Sequence, residues 1–315
     1  MLNKEKRNKL TIEDSGKVFA LTILLTLALS FIIAIISNAN EGVKAFLDTP
    51  DGFWVTAILS QLAILAAGVF YAFGKKISLV RATGMQNKIK PLQILMLVAL
   101  AFALICFMLP VQTAVENFLI KAGAPPSSIS NMQVNNFGQF ALATLIVVLI
   151  PAFSEELIYR GYICNSLSRP GKKLDWAAVF ISAGFFFIMH GNAYQTVHQF
   201  IIGIVMAIVY LSTRSLWASV TLHFANNFLA VLIDYVAPNG GVEMFILNNW
   251  FWIMPLALLV ILPILYLFIR GAKSVDLEVT EEMLADRKQQ IKKSIPYFAA
   301  GLAVCLFLWV TSIVG

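Results

Sequence analysis

Nine apolar stretches succeed one another along the chain: 18–37, 53–73, 92–111, 140–168, 176–191, 200–212, 216–234, 250–269 and 295–314. About 20 apolar residues make a helix long enough to cross the bilayer hydrocarbon, where a helix satisfies its own backbone without water. The sequence therefore predicts an all-α, polytopic integral membrane bundle of about eight to nine transmembrane helices, the sixth stretch being the short one. Only 13% of the residues are charged, half of the roughly 25% that a soluble domain uses to cover itself. Cys106, Cys164 and Cys305 lie in or beside apolar runs with no C-x-x-C pair, which supports neither a disulfide framework nor a zinc knuckle.

The charges are unevenly distributed. With the N-terminus placed in the cytoplasm, 21 of the 23 Lys and Arg residues fall on the cytoplasmic side, leaving Lys44 and Lys121 opposite. That bias is the positive-inside pattern, and it accounts for the net charge of +6 without a nucleic-acid partner. Nine spans put the C-terminus outside. The first span has a basic lead and a small-x-small sequence at Ser37-Asn38-Ala39. Its run exceeds the roughly 7–15 residues of a signal core, so it is read as an uncleaved span. Residues 112–139, with Pro125-Pro126, read as an irregular outer segment. Residues 270–294 read as a charged cytoplasmic loop carrying a solvated surface helix. Thr280 would cap it, Glu281 and Glu282 would occupy its first turn, and Lys288, Lys292 and Lys293 would lie near its end.

Of the 17 acidic residues, only Glu155 and Glu156 lie within a span. A carboxylate near mid-membrane costs at least about 2.5–3.5 kcal/mol. Arg160 stands four residues after Glu156, on the same helical face, where an ion pair is available. Pro151 precedes Glu155 by one turn and removes a backbone hydrogen bond, predicting a bend just before the acids. The three histidines, His190, His198 and His223, all fall within 34 residues. Counted at about 1.5 Å per helical residue from the nearest cytoplasmic charge, Glu155 lies roughly 21 Å deep, His190 roughly 22 Å and His223 roughly 14 Å. Asn227 is one turn beyond His223. Three helices can therefore bring polar groups together inside the bilayer. His198 falls in a short outer connection and reads as interfacial. Each group alone has an ordinary structural reading as a helix-tying ion pair or interhelical hydrogen bond; the whole set exceeds what packing needs.

A Glu–His pair can activate water for attack on a carbonyl, and a second His with an Asn amide can donate to the resulting oxyanion. Alternatively, Glu155, His190 and His223 can bind one Zn²⁺ with a position open for water. No H-E-x-x-H, G-x-S-x-G or P-loop occurs.

Glu155-Glu156-Leu-Ile-Tyr-Arg160 matches E-E-x-x-x-R, Phe186-Phe-Ile-Met-His190 matches F-x-x-x-H, and His223-Phe-Ala-Asn-Asn227 matches H-x-x-x-N. In this order and spacing they resemble the CPBP family of CAAX proteases and bacteriocin-processing enzymes, also called the Abi family. The resemblance covers residues 155–227. It implies an intramembrane endopeptidase acting on a membrane-associated protein or peptide, in CAAX-type processing or in bacteriocin maturation or self-immunity. Carried over, Glu155 and His190 activate water, His223 and Asn227 stabilise the oxyanion, and Glu156 with Arg160 supports them. The cofactor is either none or Zn²⁺. The chain then divides into N-terminal helices (1–139), a catalytic core (140–234) and C-terminal helices (235–315). Two other classes compete. One is a non-catalytic membrane immunity or binding protein. The other is a proton-coupled transporter, for which the expected internal repeat is missing from the sequence.

Overall fold

The computed structural model describes residues 9–125, 134–272 and 279–314. Lys4, Lys6, Arg7, Pro126 and Lys273, which enter the charge and loop readings above, lie outside the described residues. Among the described residues nine major helices form the bundle: α1 (Ile12–Ala39), α2 (Pro50–Lys75), α3 (Pro91–Lys121), α4 (Phe137–Leu167), α5 (Trp176–Met189), α6 (Thr196–Thr213), α7 (Leu216–Val236), α8 (Trp250–Gly271) and α9 (Glu281–Val314). Eight are long and apolar enough to cross a membrane, and α5, with 14 residues, is shorter. The protein is an integral multi-pass membrane protein. No strand occurs among the described residues.

The helix starts follow from local chemistry. Thr11 and Asp14 form a reciprocal capping box on α1, which satisfies backbone N–H groups that have no intrahelical partner. Proline stands in the first turn of α2 and of α3, where its missing N–H costs nothing. Asp175 caps α5 through the Ala177 N–H. Thr280 caps α9, as the sequence predicts, by accepting from Met283 N.

Three boundaries differ from the sequence reading. The short helix is α5, not the sixth. α6 begins at Thr196 because Thr196, His198 and Gln199, which look like a connection by hydropathy, belong to a helix lining a polar interior. Residues 112–121 continue α3 as helix rather than starting an irregular segment. The helix after Thr280 is not a separate surface element. It runs on as α9 to Val314 through Pro296, and Arg287 Nη1 and Nη2 donate to Ser166 O and Leu167 O at the end of α4.

Small residues set the closest helix contacts, as is usual between membrane helices. A Cβ on Gly301 of α9 would fall 2.5 Å from the Phe19 ring of α1. α5 and α6 form a tight antiparallel hairpin around Gly203, where an added Cβ would meet Ala183 at 3.1 Å. Both hairpin ends lie at one end of the bundle. There Arg214, just after α6, donates to Lys172 O at 3.1 Å and Ser168 Oγ at 3.3 Å, just before α5. Large apolar side chains such as Phe31, Phe70, Phe73, Phe102, Leu259 and Phe307 point outward, as a lipid-facing surface requires.

Candidate active site

α4 carries the acids and is not a uniform α-helix. A π-helical segment, Thr144–Leu149, precedes an α-helical turn, Ile150–Glu156, and a second π-helical segment, Leu157–Cys164, follows. The bend expected at Pro151 is thus realised as a change of helical pitch. Pro151 cannot supply the N–H that Val147 O would accept in an α-helix. Asn227 Nδ2 of α7 donates to that carbonyl instead, at 3.3 Å. Wide π turns of this kind recur at functional sites.

The i,i+4 pair exists. Arg160 Nη1 donates to Glu156 Oε1 at 2.6 Å, with both side chains fully buried. Arg160 Nη2 reaches Gly203 O at 3.1 Å, and the guanidinium lies over the Phe186 ring at 4.5 Å. A buried charge pair depends on further hydrogen bonds to its atoms. The α5–α6 hairpin supplies the Gly203 carbonyl and the Phe186 ring face, while Glu156 Oε2 and Arg160 Nε are buried without a partner among the described residues. His223 of α7 completes the group, with Nδ1 3.0 Å from the same Glu156 oxygen. Since a carboxylate only accepts, the hydrogen bond assigns the proton to Nδ1.

Glu155 faces the other way. A cavity of about 410 Å³ opens between α2, α4, the α5–α6 hairpin and α7, and Glu155, His190, His223 and Asn227 all line it. Glu155 is 6% exposed. Its Oε1 accepts from Gln61 Nε2 of α2 at 3.0 Å, and its Oε2 stands 4.0 Å from His223 Nε2. His190 caps the C-terminal end of α5, and its Nδ1 bonds the Phe186 carbonyl at 2.8 Å. A carbonyl accepts, so Nδ1 carries the proton and Nε2 of the neutral ring is an open lone pair. Asn227 uses one amide hydrogen on Val147 and receives Asn226 Nδ2 on its Oδ1 at 3.3 Å. Its second amide hydrogen remains available.

The six residues singled out in the sequence therefore divide into two layers. Glu155, His190, His223 and Asn227 border the cavity, while Glu156 and Arg160 sit behind it, tied to it through His223. Sequence reading missed several polar cavity residues, His198 and Gln61 among them. His198, read as interfacial, lines the cavity from α6. Gln61 was hidden in an apolar stretch, although an amide beside Ser60 in mid-span is itself a signal of a polar interior. Among the described residues no group of three His, Cys, Asp or Glu side chains is close enough to share a metal ion.

Residues 137–229 match the family described as Type II CAAX prenyl endopeptidase Rce1-like. Over these residues, less than a third of the chain, the protein is similar to that family. The match begins with α4, spans the hairpin and ends within α7. It contains all six motif residues and leaves out Gln61. No curated protein and no solved structure matches the chain.

Proposed function

We propose that the protein is an intramembrane endopeptidase that hydrolyses a peptide bond of a membrane-associated protein or peptide with water activated by Glu155 and His190. The observation that carries this reading is that Glu155, His190, His223 and Asn227, from two helices and the end of a third, border a single cavity. In this reading the substrate carbonyl enters between the acids and α7. Glu155 Oε2 takes one proton of the attacking water while His190 Nε2 accepts a hydrogen bond from its other O–H. The carbonyl oxygen, now an oxyanion, is met by the free Asn227 amide hydrogen and by His223. With Nδ1–H given to Glu156, His223 donates from Nε2 only when that nitrogen also holds a proton. Arg160 keeps Glu156 in place. The proton taken from water then passes to the leaving amine, and the tetrahedral centre collapses to a carboxylic acid and an amine.

The strong Lys and Arg asymmetry supports a cytoplasmic N-terminus, and in a cell without internal organelles the membrane is the plasma membrane. Either CAAX-type cleavage near a C-terminus or bacteriocin maturation or self-immunity fits this chemistry. The test compares peptide termini in membrane fractions of cells carrying wild type, Glu155→Ala or His190→Ala at equal protein abundance. Termini present in wild type alone are expected and would name the substrate. Identical termini in all three strains would overturn the protease reading.

A further inference from the structure

Gln61 lies on α2, outside the matched segment, yet both ends of its side-chain amide are committed around Glu155. Ser154 Oγ, fully buried, donates to Gln61 Oε1 at 2.6 Å, and Gln61 Nε2 donates to Glu155 Oε1 at 3.0 Å. The chain of donors has one direction. Because the amide oxygen is taken by the serine hydroxyl, the NH₂ group must face the carboxylate. We propose that Gln61 is a positioning residue that fixes the rotation of the Glu155 carboxylate. It thereby keeps Glu155 Oε2 on the cavity side, 4.0 Å from His223 Nε2. This inference rests on the protease reading above.

The physical reason is the freedom of the carboxylate. A separation of 4.0 Å is too long for a direct hydrogen bond, so His223 does not fix Glu155. The terminal torsion of a glutamate is broad. An untethered Glu155 would turn Oε2 away from the place where it meets the attacking water. With Oε1 anchored from α2, Oε2 stays on the cavity side as the acceptor. The catalytic geometry then depends on a helix that carries no motif, so the matched segment 137–229 is an incomplete active site without α2.

The experiment uses the purified full chain in lipid nanodiscs and two readouts. The first is thermal unfolding of Gln61→Glu, Glu155→Gln and the inverted pair Gln61→Glu/Glu155→Gln. Gln61→Glu keeps the shape but sets two carboxylates against each other, so it should melt several degrees lower. The inverted pair restores one donor and one acceptor and should recover most of that loss. Losses that simply add would mean the two side chains do not meet. The second readout is kcat and KM on the peptide whose new terminus appears only with wild type in cells. Gln61→Glu and Gln61→Leu should each lower kcat at least tenfold with KM within twofold. Ser154→Ala should lower kcat less, in the same direction. A packing role would leave the near-isosteric Gln61→Glu at wild-type kcat, and that result overturns the proposal. Recovery by the inverted pair with no peptide cut by wild type would mean that the contact is real but the protease reading has failed, and the positioning role with it.

Discussion

Arg160→Met isolates the energetics of the layer behind the cavity. Arg160 is fully buried and holds Glu156 at 2.6 Å, Gly203 O at 3.1 Å and the Phe186 ring at 4.5 Å. Methionine keeps much of the volume and removes the charge, leaving Glu156 as an uncompensated buried carboxylate. Removing one partner of such a pair costs about 3–5 kcal/mol. Glu156 retains the His223 hydrogen bond, so a loss near the lower figure, about 3 kcal/mol, is expected. Replacing both partners, Glu156→Gln with Arg160→Met, leaves no buried charge in the pair, and neutral replacement of a buried pair is often close to neutral. The double variant should therefore lie within about 1 kcal/mol of wild type. Reversible unfolding in mixed micelles with a denaturing detergent measures all three variants. An Arg160→Met protein within about 0.5 kcal/mol of wild type, or a double variant whose loss equals the sum of the two singles, would refute this account.

Asn227→Ala should lower kcat about a hundredfold, as loss of one oxyanion donor does, while its unfolding midpoint stays near that of wild type; an unchanged kcat would remove Asn227 from the reaction. Gly203→Ala forces a Cβ to within 3.1 Å of Ala183. It should destabilise the hairpin by about 1–3 kcal/mol, and Gly203→Val by more, in the same unfolding assay. Asp175 lies in the loop before α5. Burial pushes its carboxyl up, but the Arg169 guanidinium at 2.8 Å and then the Arg169 backbone N–H outweigh that and hold it below its ordinary 3.8. A depressed carboxyl stabilises the fold above its unfolded pKa, and that contribution is lost as pH falls through the folded value. Asp175→Asn should accordingly be less stable than wild type at pH 7, and the two unfolding curves should converge below about pH 4; a constant difference at both pH values would show that the loss is not electrostatic.

The helices and the ion pair were legible because they depend on local spacing. Apolar runs of membrane length predict spans directly, and Glu156–Arg160 follows from one helical turn. The meeting of Glu155, His190 and His223 was legible from depth alone, since each could be counted from a charged helix end. What escaped depends on the third dimension. Hydropathy marks His198 and Gln199 as connection, but a polar face turned into a cavity is buried without being apolar. Gln61 matters only because α2 packs against α4, and no spacing rule joins residues 61 and 155. The π segment before Ile150 accompanies Pro151 and the Asn227 contact on Val147, and that contact comes from another helix. α3 runs on to Lys121 because it reaches the tip of the hairpin, a contact that sequence does not show.

That tip explains how a polar site is tolerated inside the bundle. Between α5 and α6 the chain leaves the α-helix at His190–Gln195, with Gly191 at φ +56°. Irregular backbone at membrane depth persists only where protein satisfies its polar groups. Here the flanking helices, which carry no motif, do so. Gln112 of α3 donates to Tyr194 O, and Ser312 of α9 accepts from Ala193 N at 3.0 Å. Trp309 of α9 donates to Thr196 at 2.7 Å, and the Tyr194 hydroxyl donates to Pro125 O. Gly191 also faces Leu308, where a Cβ would sit at 3.2 Å. The break in the helix is what turns His190 toward the cavity beside His198. Helices outside the matched segment therefore supply two distinct things: α2 orients the acid, and α3 with α9 hold the non-helical turn that presents the histidine. Weakening the tip, rather than touching any motif residue, should separate His190 from Glu155 while leaving the Glu156–Arg160–His223 group intact.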